Sequence, residues 1–477
     1  MTSLSPSSAT PFPYTSVKNL DKTIFRAYDI RGKVDTQLTA DVIYTLGLAL
    51  GSEMHVMQKS SIVIGRDGRL SSPELIEALR QGLMDTGTHV IDIGMVPSPV
   101  LYFASNFIPI DCAVMLTGSH NPSSHNGLKM ILDGVTLAEG RIQALYNRIM
   151  LQDFHYGQGS SQARDHIIED YIKTIQQHVH LDRRLKIVVD CGNGVAGKVA
   201  KPLFSALGCE IIELYCEVDG RFPNHHPDPS VMENLTDLIK TVKDHKADIG
   251  LAFDGDADRI GVVTPEGKAI LPDRLMMLFA RDILSRNPGA NIVFDVKCSH
   301  HLPAVIQKHG GIPIMCATGH SIVKSRMKEM NAILAGELSG HIFFKEKWYG
   351  FDDGLYSGCR LLEILAGQSL SIDNLFAAIP DSVNTPELKI PIPEERKFAF
   401  VEALKEKGEF ADGNMVTIDG IRVEFKDGWG LLRASNTTPC LIARFEADNV
   451  EALQRIQSLF KTQLLSIGKN DQLELPF

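Results

Sequence analysis

Asp254, Asp256 and Asp258 alternate along one short stretch, Asp254-Gly255-Asp256-Ala257-Asp258-Arg259, between two apolar runs. Three carboxylates so close repel one another unless a cation holds them, and hard oxygen donors without Cys or His select Mg2+ or a similar ion. An EF-hand is excluded, because that loop needs glycine at its sixth position and glutamate at its twelfth; Arg259 and Pro265 stand there. Beside the acids, Arg259 carries a fork suited to a phosphate. A second stretch, Thr117-Gly118-Ser119-His120-Asn121-Pro122, follows the apolar run Cys112 to Leu116 and presents a hydroxyl at the end of a strand. That hydroxyl is a weak nucleophile until a base or cation assists it. His120 is adjacent and Lys129 lies ten residues on. Taken alone, the hexapeptide also reads as an ordinary Ser-rich turn.

Two further stretches have chemical character. In Gly336-Glu337-Leu338-Ser339-Gly340-His341 the glycines let backbone approach a ligand, and Glu337 and Ser339 suit sugar hydroxyls. His341 is a proton-transfer candidate with an unperturbed pKa near ~6.5. Arg433-Ala434-Ser435-Asn436-Thr437-Thr438-Pro439 combines an arginine, hydroxyls and an amide with no carboxylate, a set suited to a phosphate dianion. Each of these two stretches is also compatible with a plain turn.

The elements that must position these loops follow from periodicity. Thr39 to Met54 is apolar at helical spacing, Ser61 to Gly65 and His89 to Gly94 read as strands, and Ser72-Pro73-Glu74 opens a helix. Strand and helix in alternation imply a parallel or mixed sheet. A second unit runs from the strand Leu185 to Asp190 through Gly192-Asn193-Gly194-Val195-Ala196-Gly197, with Glu213 on the next strand. That pattern matches a dinucleotide fingerprint and leaves a nicotinamide reading open, as does simple strand-to-helix packing. A third α/β unit has strands near 291–296, 312–315 and 333–335. From about 381, Pro386, Pro391 and Pro393 precede short strands with turns at Gly420, Gly428 and Gly430, which reads as a smaller antiparallel α+β unit. The expected units are 1–165, 166–268, 269–380 and 381–477. Each holds one of the four loops, so the site is expected in a cleft between domains.

A chain of 477 residues suits roughly three or four domains. Its net charge of -10 argues against a broad surface for nucleic acid. Eight scattered cysteines without a C-x-x-C pair suggest reduced thiols in the cytoplasm. Residues 1–16 lack the features of a signal peptide, and no apolar run is long enough to span a membrane.

In order and spacing, the four loops resemble those of the α-D-phosphohexomutases, over nearly the whole chain from about residue 20. Phe25-Arg26-Ala27-Tyr28-Asp29-Ile30-Arg31-Gly32 and the 336–341 loop are most similar to the bacterial phosphomannomutase/phosphoglucomutase branch. The resemblance implies three related mixed α/β domains plus a smaller C-terminal α+β domain around a central cleft. It implies phosphorylation of Ser119, and Mg2+ held by Asp254, Asp256 and Asp258 with the phosphoserine. Arg31, Lys129 and His341 match positions for proton transfer and charge stabilisation, with His120 a further catalytic candidate. Glu337 and Ser339 would contact sugar hydroxyls. Arg433, Ser435, Asn436 and Thr437 would clamp the non-reacting phosphate, with Tyr28, Arg259, Lys297 and His320 lining the cleft. A hexose 1,6-bisphosphate is the expected intermediate and activator, and a cytoplasmic monomer acting on sugar phosphates is the expected state. The rivals are a phosphoglucosamine mutase, a sugar-phosphate phosphatase, an NAD-dependent oxidoreductase and a non-catalytic sugar-phosphate-binding protein.

Overall fold

The computed structural model describes residues 14–435, 438–468 and 473–477. Four sheets succeed one another along the chain. In the first, Ser61–Arg66 lies parallel to His89–Met95 and to Ala113–Leu116. His125–Leu132 then runs antiparallel to Ala113–Leu116, and Ile30–Lys33 antiparallel to His125–Leu132. The second sheet is built on Lys186–Asp190, parallel to both Glu210–Leu214 and Ile249–Phe253, with Ile260–Val263 antiparallel to the latter. In the third, Asn291–Asp295 is parallel to Ile312–Cys316 and to Leu334–Gly336, and Ile342–Phe344 is antiparallel to Leu334–Gly336. The fourth sheet is antiparallel throughout, centred on the hairpin Gly428–Ala434 and Cys440–Ala447. The mixed α/β character of the first three units and the α+β character of the last match the expectation.

One rule recurs in all four. Each chemically distinctive loop joins a strand to its antiparallel neighbour: Leu116 to His125, Phe253 to Ile260, Gly336 to Ile342 and Ala434 to Cys440. The strands entering these loops are fully buried (Ala113–Leu116, Ile249–Phe253, Leu334–Gly336 and Gly428–Ala434). Apart from Arg433 their residues are glycine or apolar, because both faces are covered.

The largest apolar cluster is continuous across the first three units, from Val63 and Met115 through Val189 and Phe253 to Leu275, Phe344 and Leu355. The fourth unit has a separate core around Phe400, Leu432, Phe445 and Phe460. Its joint with the third unit combines a small apolar cluster, Val296 with Trp429 and Leu431, with polar contacts. Arg422 donates to the carbonyls of Val296 (2.6 Å) and Cys298 (2.8 Å), and Arg444 to that of Lys297. Both guanidiniums lie over the Trp429 ring, 3.9 and 5.3 Å from its centroid. Arg274 bonds Asp381 and Ser382 in the connecting segment. Among the described residues no helix is long and apolar enough to cross a membrane.

Behind the first sheet, helix Ala40–Val56, capped by the Thr39 hydroxyl, crosses helix Ser72–Met84. The crossing is close because Gly47 faces Gly82: a Cβ on Gly82 would sit 2.2 Å from the Tyr44 carbonyl oxygen. Backbone cannot yield as a side chain does. We expect Gly82→Val to destabilise the protein by about 1–3 kcal/mol, read as a lower denaturation midpoint; an unchanged midpoint would show that the helices separate at no cost.

Candidate active site

Ser119 and the acidic loop meet across the first two units. Ser119 is 3 % exposed. Its Oγ donates to Asp254 Oδ2 at 3.0 Å and lies 3.2 Å from His120 Nδ1. Its φ of +47° places a non-glycine residue in the left-handed region, a strain that persists only where surroundings over-determine it. Two close approaches do so. A Cβ at Gly255 would lie 2.3 Å from the Ser119 carbonyl oxygen, and one at Gly118 would lie 2.3 Å from the Arg69 guanidinium.

Arg69 and Asp67 hold the loop from beneath, a role the sequence did not disclose. Arg69 donates to four carbonyl oxygens: Ser119 (2.7 Å), Asn121 (2.6 Å), Pro122 (2.6 Å) and His125 (2.9 Å). Asp67 accepts from Thr117 Oγ1 and Gly118 N and pairs with Arg69 Nε at 3.1 Å. Arg31 completes the frame, donating to the Gly118 carbonyl at 2.8 Å and to Asn121 Oδ1 at 3.1 Å, and pairing with Asp29. The only sequence signal was the charge-rich Gly65-Arg66-Asp67-Gly68-Arg69 at a strand end. Ser98 was missed as well; its hydroxyl and amide both donate to Asp256.

Asp254, Asp256 and Asp258 are each 0 % exposed, and oxygens of the three lie within 4.8 Å of one another. Lys129 Nζ donates to Asp256 Oδ2 at 2.7 Å and to Asp258 Oδ2. Burial opposes charge on Lys129, but Asp256 and Asp258 outweigh it and hold the ammonium well above its usual range. Burial, with Asp258 and Asp256, pushes the Asp254 carboxyl well up. One lysine therefore does not neutralise three acids. Among the described residues Asp256 Oδ1 has no hydrogen-bond partner, and Asp258 Oδ1 has only a long contact, 3.4 Å, to His341 Nε2. An all-oxygen donor set with unsatisfied, facing carboxylates fits a hard divalent cation.

The second and third loops pair directly, Arg259 bridging to His341. His341 Nε2 is 3.4 Å from Asp258 Oδ1, and Nδ1 is 3.1 Å from Glu337 Oε2 and 2.9 Å from Ser339 Oγ. Burial disfavours the imidazolium, but Asp258 overrides it and raises the pKa to about 9. This departs from the ordinary histidine expected: at neutral pH His341 is a cation and a proton donor. A charged ring has no lone pair for Arg259 Nε at 3.2 Å, so that approach is a like-charge contact offset by Asp254, Asp258 and Glu337. His120 is the opposite case. Burial, then Arg259 and Arg31, push its pKa well below the usual value, leaving a neutral ring beside Ser119. Burial and Lys324 likewise keep His320 neutral.

The remaining residues form a connected polar wall. Glu337 Oε1 accepts from Gly319 N at 2.7 Å. Tyr28 donates to the Thr318 carbonyl at 3.1 Å, tying the first unit to the third. Asp419 of the fourth unit accepts from Thr318 N at 3.1 Å and pairs with Arg433 Nε at 2.9 Å. Lys297 lies 3.0 Å from Glu387 and 3.9 Å from Asp295. Ser435 Oγ accepts from Thr438 N at 3.1 Å. Asn436 and Thr437 lie outside the described residues.

The glycines at 192, 194 and 197 have a packing role. A Cβ at Gly194 would lie 2.9 Å from the Gly255 carbonyl oxygen, and one at Gly197 would lie 1.9 Å from that of Cys216. This turn backs the acidic loop, Val195 N donating to the Gly255 carbonyl at 3.1 Å.

The fold and site define a four-unit protein in which a buried hydroxyl, an acid cluster that could hold a metal ion, and buried cationic side chains converge from separate sheets. Profiles described as phosphoglucomutase/phosphomannomutase alpha/beta/alpha domains I, II and III match residues 22–155, 169–267 and 271–383. The C-terminal domain profile of the same family matches residues 387–462. The chain therefore belongs to the phosphoglucomutase/phosphomannomutase family. It is 54% identical to the phosphomannomutase/phosphoglucomutase of Pseudomonas aeruginosa over 96% of this chain and 98% of that protein. It is 51% identical to the phosphoglucomutase of Neisseria gonorrhoeae over 94% and 98%, respectively. The crystal structure of a family protein from Burkholderia thailandensis superposes with a TM-score of 0.92 at 48% identity, covering 96% of this chain and all of that one.

Arg69→Lys replaces a planar fork that reaches four carbonyls with a single ammonium. We expect a fall in kcat of roughly 10²-fold, the scale of a misplaced reacting group, with an unchanged far-UV spectrum. Wild-type turnover in this variant would mean that the loop holds its shape without the guanidinium.

Proposed function

We propose that this enzyme interconverts hexose 1-phosphates and hexose 6-phosphates, of mannose, glucose or both, through a phosphorylated Ser119. The observation that carries the reading is the placement of Ser119 Oγ, 3.0 Å from Asp254 at the edge of a buried acid cluster that calls for a cation. Phosphoryl transfer asks a protein chiefly for positioning and charge stabilisation, which is what these loops supply.

In the forward direction phospho-Ser119 gives its phosphoryl group to the free 6-hydroxyl of a hexose 1-phosphate. The Ser119 oxygen leaves, the sugar oxygen gains the P–O bond, and its proton passes to a neighbouring base. The resulting 1,6-bisphosphate turns end for end within the cleft. Ser119 Oγ then takes the phosphoryl group from the 1-position, releasing the 6-phosphate. His341, charged at neutral pH, stabilises the phosphoryl oxygens and donates the proton to the departing oxygen. His120, neutral, is placed to accept the Ser119 proton on the return step. Lys129 and Arg31 hold the acidic and serine loops in register. Asp254, Asp256 and Asp258 would hold Mg2+, which when bound neutralises charge on the transferring group. Arg433 and Ser435, with Asn436 and Thr437, clamp the phosphate that is not reacting. Glu337 and Ser339 read the sugar hydroxyls, and Tyr28, Arg259, Lys297 and His320 line the passage. A serine only 3 % exposed favours transfer to sugar over transfer to water. A trace of hexose 1,6-bisphosphate would recharge an enzyme that has lost its phosphate.

All four loops come from one chain, so a monomer suffices, and the eight free cysteines fit the reduced cytoplasm. The units divide near residues 165, 270 and 380; the second lies just past 268 because Ala269–Ile270 pairs into the second sheet.

Conversion of mannose and glucose 1-phosphates, assayed with Mg2+ and trace glucose 1,6-bisphosphate, should be abolished in Ser119→Ala without loss of fold. Residual wild-type rates would exclude the phosphoserine route, and turnover only of glucosamine 1-phosphate would reassign the substrate. Arg433→Ala should raise KM about tenfold or more, the scale of one lost charged hydrogen bond, with a smaller effect on kcat; an unchanged KM would remove Arg433 from the phosphate clamp. Chelation should abolish conversion, and added Mg2+ should restore it.

A further inference from the structure

Away from the serine and acidic loops, at the joint of the third and fourth units, three potential metal ligands converge. His300 and His301 open helix His301–Lys308, and Glu446 lies near the end of strand Cys440–Ala447. One ligand atom of each lies within 4.8 Å of the others. Glu446 is 0 % exposed, and among the described residues its Oε2 has no hydrogen bond, only two guanidiniums 3.8–4.0 Å away, while the buried His301 Nε2 has no hydrogen-bond partner. Unsatisfied donors and acceptors buried together are costly unless something joins them.

We propose that His300, His301 and Glu446 form a binding site for a transition-metal ion of the Zn2+ class, distinct from the acidic loop. Two imidazoles and one carboxylate are a zinc donor set, with a fourth position for water. The surroundings are those of metal ligands. His300 presents its other nitrogen, Nε2, to Asp448 Oδ1 at 3.4 Å, the carboxylate that orients a ligating imidazole. Glu446 Oε1 accepts from the Ser299 hydroxyl and lies 3.2 Å from His300 Nδ1. Arg444 and Arg274 lie 3.8 and 4.0 Å from Glu446 Oε2, so they direct the metal to Oε1 and weaken the site relative to an isolated set of the same ligands. The acidic loop, all oxygen, selects a hard ion; this one, with two nitrogens, selects a softer one. Its ligands come from two units, so occupancy pins the fourth unit to the third.

Equilibrium dialysis of the full-length protein against Zn2+ tests the site. The wild type should bind one equivalent more than His301→Gln, and His300→Gln should show the same loss. Crystals soaked in zinc chloride should give an anomalous peak between the three side chains. Bound Zn2+ should also raise the unfolding temperature of the wild type more than that of either variant. Equal stoichiometry in all three proteins overturns the proposal, even with a crystal peak, which would then be binding at crystal concentration only. Loss of the equivalent in His300→Gln but not in His301→Gln would overturn this ligand set. Circular dichroism of each variant separates ligand loss from misfolding.

Discussion

Three carboxylates with no solvent exposure sit around one lysine, and that imbalance governs the centre of this molecule. Asp256 and Asp258 share Lys129, while Asp254 turns to Ser119. Buried like charges repel strongly at low dielectric, so the cluster is stable only if it is over-compensated. Lys129 and the His341 imidazolium do this in part from different sides, and the acids left over would suit a hard cation. The arrangement also explains why Ser119 is held so firmly. A hydroxyl that must stand beside the acids cannot be left to a mobile turn, and its left-handed backbone is locked from below by Arg69 and from the side by Gly255.

Convergence of separate sheets on one cleft follows from a single local device. In each unit a fully buried strand runs outward, makes a loop, and returns as its antiparallel neighbour. Buried strands fix both ends of the loop, so a few polar residues inherit the rigidity of the core. Loops so positioned can carry strained or charged residues that would otherwise disorder them. The second and third loops pair with each other through Arg259 and His341. The acidic loop and the 336–341 loop are therefore joined backbone to backbone.

The joints between units differ in kind. A continuous apolar core unites the first three, and separating them would expose that surface to water. The fourth is attached through guanidinium-to-carbonyl bonds around Trp429 and through Arg274 at the connecting segment. The apolar part of this joint is small, Val296 with Trp429 and Leu431, against the continuous core that joins the first three units. The smaller joint lies beside the wall that carries Arg433 and Ser435.

Contiguous chemistry was legible in the sequence. The acidic triplet, the serine hexapeptide and the two later loops each place their groups within a few residues of one another, between runs whose periodicity marks strands. Class and order of units were readable for the same reason: buried strands must be apolar, and helices must show a stripe. Contacts between remote residues were not. Nothing in the spacing of Asp67 and Arg69 says that they brace a loop fifty residues away. Nor does spacing reveal that Ser98 bonds Asp256, or that His300 and His301 meet Glu446 across a joint. The ionisation states of His120 and His341 also belong to the tertiary structure alone. Both are histidines in short polar loops, and only the packed surroundings decide that burial, with nearby arginines, discharges one while carboxylates overcome burial and charge the other. Residue type is written in the chain, but the field acting on it is set by groups that folding brings near.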